Sequence, residues 1–172
     1  MPDLVTHMAS GLLLGSGVSR AEYTPALVVG SCLPDLLGRV PAYVMSFVEL
    51  VGIAVPEPLM FGTAFMHLPL GLMLAGAILA IWAHGGRRLA LWCLLMIGSA
   101  AHLVLDALQH HWGEAYMWFF PFSDWAWEAG IMGSEATVFY APALLVVSGV
   151  AWRWRHGGQP WRGDTDGHVV RA

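Results

Sequence analysis

Five ionisable side chains lie inside apolar segments of this sequence or at their ends, and they constrain the fold more than any other feature. They are three histidines and two aspartates: His7, Asp35, His67, His102 and Asp106. Ionisable groups in a membrane segment are costly, so they first indicate a functional site. His102 and Asp106 are four residues apart, which places both side chains on one helix face. That spacing suits two ligands of one metal ion.

The composition indicates a membrane protein. Hydrophobic residues make up 57% of the 172 residues and charged residues 12%, whereas a usual soluble domain is about 25% charged. The net charge of −4 offers no basic patch, which excludes nucleic-acid binding. The sequence therefore predicts an all-α fold, an integral membrane helical bundle of about five transmembrane helices. One domain is predicted over residues 1–155, followed by a polar cytoplasmic tail over 156–172.

Neither the cysteines nor the N-terminus indicates a different class of protein. Cys32 and Cys93 lie in apolar segments without CxxC spacing, so neither a disulfide framework nor a thiolate zinc site is indicated. No cationic region precedes the first apolar run, which favours a retained helix over a cleaved signal peptide.

The apolar stretches predict helices over residues 4–19, 24–38, 59–83, 89–108 and 135–153. The third is interrupted only by His67 and Pro69 and is long enough to span a hydrocarbon core of about 30 Å. The first two are short for a full crossing and suit a hairpin packed inside the protein. Pro34 is expected to end or kink the second helix at Cys32–Leu33, which puts Asp35 at a helix break.

Two further segments are predicted to lie at the membrane surface. Residues 42–55 carry one charge, Glu49, between Pro41 and Pro56, which suits an interfacial helix or a re-entrant cover. Residues 109–134 combine aromatic and acidic residues, a composition typical of the headgroup level. Tryptophans in such a segment are more often interface anchors than parts of a substrate site.

The arginines predict the orientation. All eight basic residues are arginines, and the positive-inside tendency places all but Arg39 on the cytoplasmic side. The chain is then a multi-pass protein of the inner (cytoplasmic) membrane, with its N-terminus outside and its C-terminus in the cytoplasm. In this topology the five ionisable residues fall at one depth on the outer side. Asp106, near a helix C-terminus, is opposed by the helix dipole, which a bound cation would offset.

The remaining polar residues leave alternatives open. His110 would share the face of Asp106 if the helix continued, and a solvated loop position explains it equally well. Three further histidines are interpreted as bystanders: His84, His156 and His168. Acidic residues on the outer side are interpreted as mostly solvated, with one of them a candidate general base: Glu114, Asp124, Glu128 and Glu135.

Several short motifs resemble the YdjM-like family of membrane-bound metal-dependent hydrolases. The most specific is His102-Leu103-Val104-Leu105-Asp106-Ala107-Leu108 with Phe120-Pro121-Phe122-Ser123 downstream. Weaker matches are Thr6-His7, Leu33-Pro34-Asp35-Leu36, Met66-His67 and Gly113. The resemblance covers about residues 5–125. It departs at Leu37, where members tend to have an acidic residue, and at Gly62-Thr63, where they tend to have a His-Arg pair.

The resemblance implies cleavage of phosphoesters, because this family is similar to zinc-dependent phospholipase C. The implied ligands of a divalent metal, most often zinc, are His7, Asp35, His67, His102 and Asp106. Asp35 and Asp106 are also the candidate catalytic carboxylates, since either can act as general base toward a metal-activated water. The implied substrate is a membrane lipid or another amphiphilic phosphoester. The alternative is a non-enzymatic membrane protein whose polar cluster is structural, binds a metal or relays protons.

Overall fold

Helices make up most of the chain. The computed structural model describes residues 4–110, 116–133 and 136–157. Its α-helices are α1 (Leu4–Gly17), α2 (Thr24–Pro34), α3 (Val40–Leu50), α4 (Glu57–Met66), α5 (Pro69–Ile81), α6 (Arg88–Ala107) and α7 (Ala136–His156). Two short strands, β1 (Gln109–His110) and β2 (Met132–Gly133), pair in parallel. The predicted all-α class is confirmed, with this pair as a small addition.

The helix that contains Pro34 does not end there. α2 continues through a π-helical turn, Asp35–Arg39, into α3, so that Ala21–Leu50 is one helical stretch of 30 residues. Proline has no amide to donate, and the wider turn keeps the backbone bonded because the Val40 amide donates to the Asp35 carbonyl, five residues back. The helix therefore does not end at Cys32–Leu33, and the departure from α-helical geometry begins at Asp35, where the sequence predicted a break. The π-helical turn buries Asp35 and Gly38.

The predicted helix over residues 59–83 is broken at His67. α4 ends at Met66, α5 begins at Pro69, and the two helices are bent by 81°. Leu68 is extended, with φ −94° and ψ 157°, because the proline that follows it disfavours the helical conformation. A continuous helix over 59–83 is therefore wrong. The break lets His67 turn inward, and its side chain is buried.

Fewer helices than predicted have the length and composition of a membrane span. Among the described residues they are Ala21–Leu50 and Arg88–Ala107, with the bent pair of α4 and α5 as a third if its halves form one span. α1 has 14 residues, about 21 Å at 1.5 Å per residue, which is short of a core of about 30 Å. The prediction of about five transmembrane helices is not confirmed.

Small residues let the central helices approach closely. α2 packs against α6 and α1, and α1 packs against α7. A Cβ atom at Gly30 would lie 2.3 Å from the Leu95 carbonyl oxygen, and one at Gly98 would lie 2.4 Å from the Leu27 carbonyl oxygen. Such contacts hold helices together where apolar burial alone gives no driving force. They set the distance between Asp35 and the polar end of α6.

α7 is fastened to the bundle by hydrogen bonds. The side chain of His156 is 3% exposed, and its Nε2 lies 3.1 Å from the Gly15 carbonyl oxygen. Trp152 Nε1 donates to Thr24 Oγ1 at 2.9 Å. The placement of His156 in a polar tail is therefore wrong, because His156 is the buried last residue of α7. Cys32 and Cys93 are free thiols, and residues 158–172 lie outside the described part of the chain.

Gly30→Ala and Gly98→Ala should lower the thermal unfolding midpoint of the purified protein. The added methyl group would overlap a backbone carbonyl, and overpacking of this kind costs about 1–3 kcal/mol. The control is Gly149→Ala on α7, where a Cβ meets nothing within 4 Å, and a helical glycine-to-alanine change there should stabilise by roughly 0.5–1 kcal/mol. Equal effects at all three positions would contradict the close α2–α6 contact.

Candidate metal centre

The five ionisable residues that stand out in the sequence meet in one buried cluster. His7 comes from α1, Asp35 from the π-helical turn, His67 from the break between α4 and α5, and His102 and Asp106 from α6. His7, His102 and Asp106 are 0% exposed, Asp35 is 5% exposed and His67 is 8% exposed. The structure thus brings all five together and shields them from solvent.

The histidine Nε2 atoms face the two carboxylates at similar distances. Asp106 oxygens lie 3.3 Å from His102 Nε2, 3.4 Å from His7 Nε2 and 3.6 Å from His67 Nε2. Asp35 oxygens lie 3.5 Å from His67 Nε2 and 3.8 Å from the Nε2 atoms of His7 and His102. Two overlapping triads have their donor atoms within 4.8 Å of one another: His7, Asp35 and His102, and His67, His102 and Asp106.

This arrangement fits a divalent metal ion. The nitrogen–oxygen distances exceed those of ordinary hydrogen bonds, about 2.7–3.2 Å. Ligands placed tetrahedrally at about 2.1 Å from a zinc ion lie about 3.4 Å apart. Among the described residues, His7 Nδ1, His7 Nε2, Asp35 Oδ1 and Asp106 Oδ1 are buried without a hydrogen-bond partner. Leaving such atoms unpaired costs about 1–3 kcal/mol each. A shared cation would remove this cost for the atoms that face it.

The orientation of His102 is fixed by the backbone of α2. Its Nδ1 lies 2.7 Å from the Ser31 carbonyl oxygen. A carbonyl only accepts, so Nδ1 carries the proton and donates, and Nε2 presents its lone pair to the cluster. Histidine ligands of metals are commonly oriented in this way. The ring of His7 stacks on that of His102 with the centroids 3.5 Å apart.

Arg39 and Tyr116 complete the cluster, and sequence reasoning did not assign either of them to it. Arg39 Nη1 lies 3.2 Å from Asp35 Oδ1, and Arg39 Nη2 donates to Asp106 Oδ2 at 3.0 Å. Tyr116 donates to the same Asp106 oxygen and accepts from Arg39 Nη2. Arg39 carried a usable signal, since it follows Asp35 by four residues and is the one arginine predicted on the outer side.

The charges in the cluster favour a further cation. Two carboxylates face one guanidinium, so with neutral histidines one negative charge is in excess. Burial, and then the charge of Asp106, raise the pKa of Tyr116 above its usual value. Tyr116 therefore stays protonated and donates to Asp106, but it adds no positive charge. Buried charges require compensation, which a divalent ion at the Nε2 atoms would supply.

The other candidates that fall among the described residues lie outside this cluster. α6 ends at Ala107, and His110 follows in β1, where its side chain is 61% exposed and its Nδ1 lies 3.2 Å from Glu128 Oε1. The reading in which His110 shares the helix face of Asp106 is therefore wrong. His84 and Asp124 are exposed. The remaining candidates lie outside the described residues: Glu114, Glu135 and His168.

Arg39→Gln should destabilise the metal-free protein by on the order of 3–5 kcal/mol, because it leaves two buried carboxylates without their cation. Saturating zinc should recover much of that loss, since the ion then supplies the compensating charge. Thermal unfolding with EDTA and with zinc measures both effects.

The matched control is Arg20→Gln. The side chains of Arg20 and its partner Glu22 are 66% and 43% exposed, so the change should cost less than about 1 kcal/mol, with or without zinc. Equal destabilisation by the two substitutions, or an Arg39→Gln protein that zinc does not stabilise, would contradict this account of the cluster.

Comparison with known proteins supports the sequence resemblance. The family model described as YdjM inner membrane protein matches residues 1–162. That range includes the five clustered histidines and aspartates together with Arg39 and Tyr116. No curated protein and no solved structure gives a match. Because the family model covers most of the chain, this protein belongs to the YdjM inner membrane protein family.

Proposed function

We propose that this protein is a membrane-embedded, metal-dependent hydrolase that cleaves a phosphoester of a lipid or another amphiphile with an activated water. One observation carries the proposal. Three imidazole nitrogens and two carboxylates, from four separate parts of the chain, face one another at 3.3–3.8 Å inside the protein. Titratable groups that are clustered and desolvated in this way are typical of active sites.

The ligand set favours zinc among the divalent ions. Neutral imidazoles with carboxylates are common zinc ligands in hydrolases, and His7, His67 and His102 would provide the nitrogens. When bound, the ion lowers the pKa of a coordinated water toward about 7 and polarises a phosphoryl oxygen. The arginine distribution supports a site in the outer half of the membrane, with the N-terminus outside and the C-terminus in the cytoplasm, as part of this proposal.

The two carboxylates are assigned different roles. Asp106 Oδ2 is held by hydrogen bonds from Arg39 and Tyr116, which fix its orientation as a ligand. Asp35 Oδ1 forms an ion pair with Arg39 but accepts no hydrogen bond from the described residues. Asp35 is therefore assigned as the general base toward the attacking water.

A non-enzymatic role is the second candidate, and the bridge made by Arg39 favours it. One guanidinium joins Asp35 on the π-helical turn to Asp106 on α6, which ties two parts of the bundle without any metal. In that role the cluster would fasten helices, store a metal or relay protons.

The double substitution His102→Ala with Asp106→Asn should abolish metal binding and turnover together. Changes in groups that merely orient a metal ligand cost about 10–100-fold, so loss of two ligands should exceed about 100-fold in both quantities. Elemental analysis of the purified protein measures the metal, and release of phosphate-containing product from lipid phosphoesters measures turnover. EDTA should remove the activity and zinc should restore it.

His84→Ala is the control for this experiment, because His84 is an exposed histidine away from the cluster. It should leave metal content and turnover unchanged. Metal that persists in the double variant would contradict the assigned ligands. Metal that binds at the cluster without turnover on any lipid phosphoester would reject hydrolysis and favour the non-enzymatic role.

A further inference from the structure

A cavity of about 330 Å³ lies beside the candidate metal centre. It is lined by the π-helical turn, α3, α4, the break between α4 and α5, and Tyr116. Its polar wall is formed by Arg39, His67 and Tyr116, and its apolar wall includes Ala42, Met60 and Ala64. The cavity therefore joins the clustered ionisable residues to the apolar faces of two helices.

The polar wall is suited to an anionic group. A guanidinium has five N–H donors, and the hydrogen bonds that Arg39 makes with the described residues use Nη2. Nη1 faces Asp35 Oδ1 at 3.2 Å, which leaves the Nε–H of Arg39 to donate to a phosphate oxygen. The side chain of Arg39 is 13% exposed, and the carboxylates of Asp35 and Asp106 offset its charge. A divalent ion at the histidine Nε2 atoms would leave the cluster with one positive charge in excess, which favours an anion in the cavity.

The apolar wall is suited to a hydrocarbon chain. Beyond the lining residues, α3 and α4 carry exposed apolar side chains, among them Tyr43 at 66%, Phe47 at 64%, Leu59 at 53% and Phe61 at 56% exposure. Such a surface lies against acyl chains in a bilayer. The volume is near the lower end of small-molecule sites, roughly 300–1,000 Å³. This volume accommodates one headgroup with the first part of one chain.

We propose that this cavity binds a single-chain amphiphile with a phosphate headgroup, which enters from the bilayer between α3 and α4. The phosphate lies against Arg39 and Tyr116, and the chain follows Ala42, Met60 and Ala64 outward. The phosphorus is then beside His67, one of the proposed metal ligands. The assignment of this amphiphile as a substrate rests on the proposed function. The binding of the amphiphile depends instead on Arg39 and the apolar wall.

The test uses photo-crosslinking of the full chain in phosphatidylcholine nanodiscs. The probe is dodecyl phosphate with a diazirine in the chain, and mass spectrometry locates the labelled residues. Labelling should fall within residues 42–64 of the wild-type protein. Ala64→Trp fills the cavity and should reduce that labelling by at least about tenfold. This is in the lower part of the range of affinity losses that correspond to the usual free-energy cost of overpacking.

The matched control is Ala77→Trp, an exposed alanine on α5 that does not line the cavity, and it should leave labelling unchanged. Unlabelled dodecyl phosphate should compete, whereas dodecanol and inorganic phosphate at the same concentration should not. Equal labelling of the two tryptophan variants overturns the proposal. Equal competition by dodecanol indicates an unspecific apolar surface, and equal competition by inorganic phosphate indicates a free-phosphate site; either result overturns it.

Labelling of the EDTA-treated protein separates this proposal from the proposed hydrolysis. Cavity labelling that persists without metal supports amphiphile binding even if no turnover is found. Turnover of lipid phosphoesters without cavity labelling would support the proposed hydrolase function and would reject this route of substrate entry.

Discussion

Two carboxylates buried side by side require positive charge, and the rest of the structure is arranged around that requirement. Asp35 and Asp106 both face the same three imidazoles, and one guanidinium bridges them. A lone buried carboxylate would favour its protonated form. Two carboxylates that share Arg39 and a cation bound at the histidine Nε2 atoms can both stay ionised. The exclusion of water strengthens every electrostatic interaction in the cluster.

Departures from regular helix geometry bring these groups together. The π-helical turn rotates Asp35 and Gly38 inward between two prolines, and the break before Pro69 turns His67 toward α6. Non-helical backbone at membrane depth is tolerated where it is enclosed by protein or lines a cavity. Here the π-helical turn and the break both border the cavity beside the cluster. The small residues between α2 and α6 hold the two sides at the required distance.

The clustered residues could be found from the sequence because a charged or imidazole side chain inside an apolar stretch is conspicuous. The i,i+4 spacing of His102 and Asp106 also correctly implied a shared helix face. Helix continuity was harder to predict from the sequence. The helix continues past Pro34 through a π-helical turn, whereas it is interrupted before Pro69. Which outcome follows a proline depends on the tertiary partners of the freed backbone groups, which the local sequence does not record. Tyr116 was missed because it lies among many aromatic residues, and its role depends on a contact with Asp106.

X-ray absorption spectroscopy at the zinc edge of the zinc-loaded protein identifies the atoms that bind the ion. We expect nitrogen and oxygen ligands at about 2.0–2.2 Å, with the multiple-scattering signature of several imidazoles. His102→Ala should then remove one imidazole from that signature. A spectrum of hydrated zinc, or one with sulfur ligands at about 2.3 Å, would show that the buried histidines and aspartates do not form the metal site.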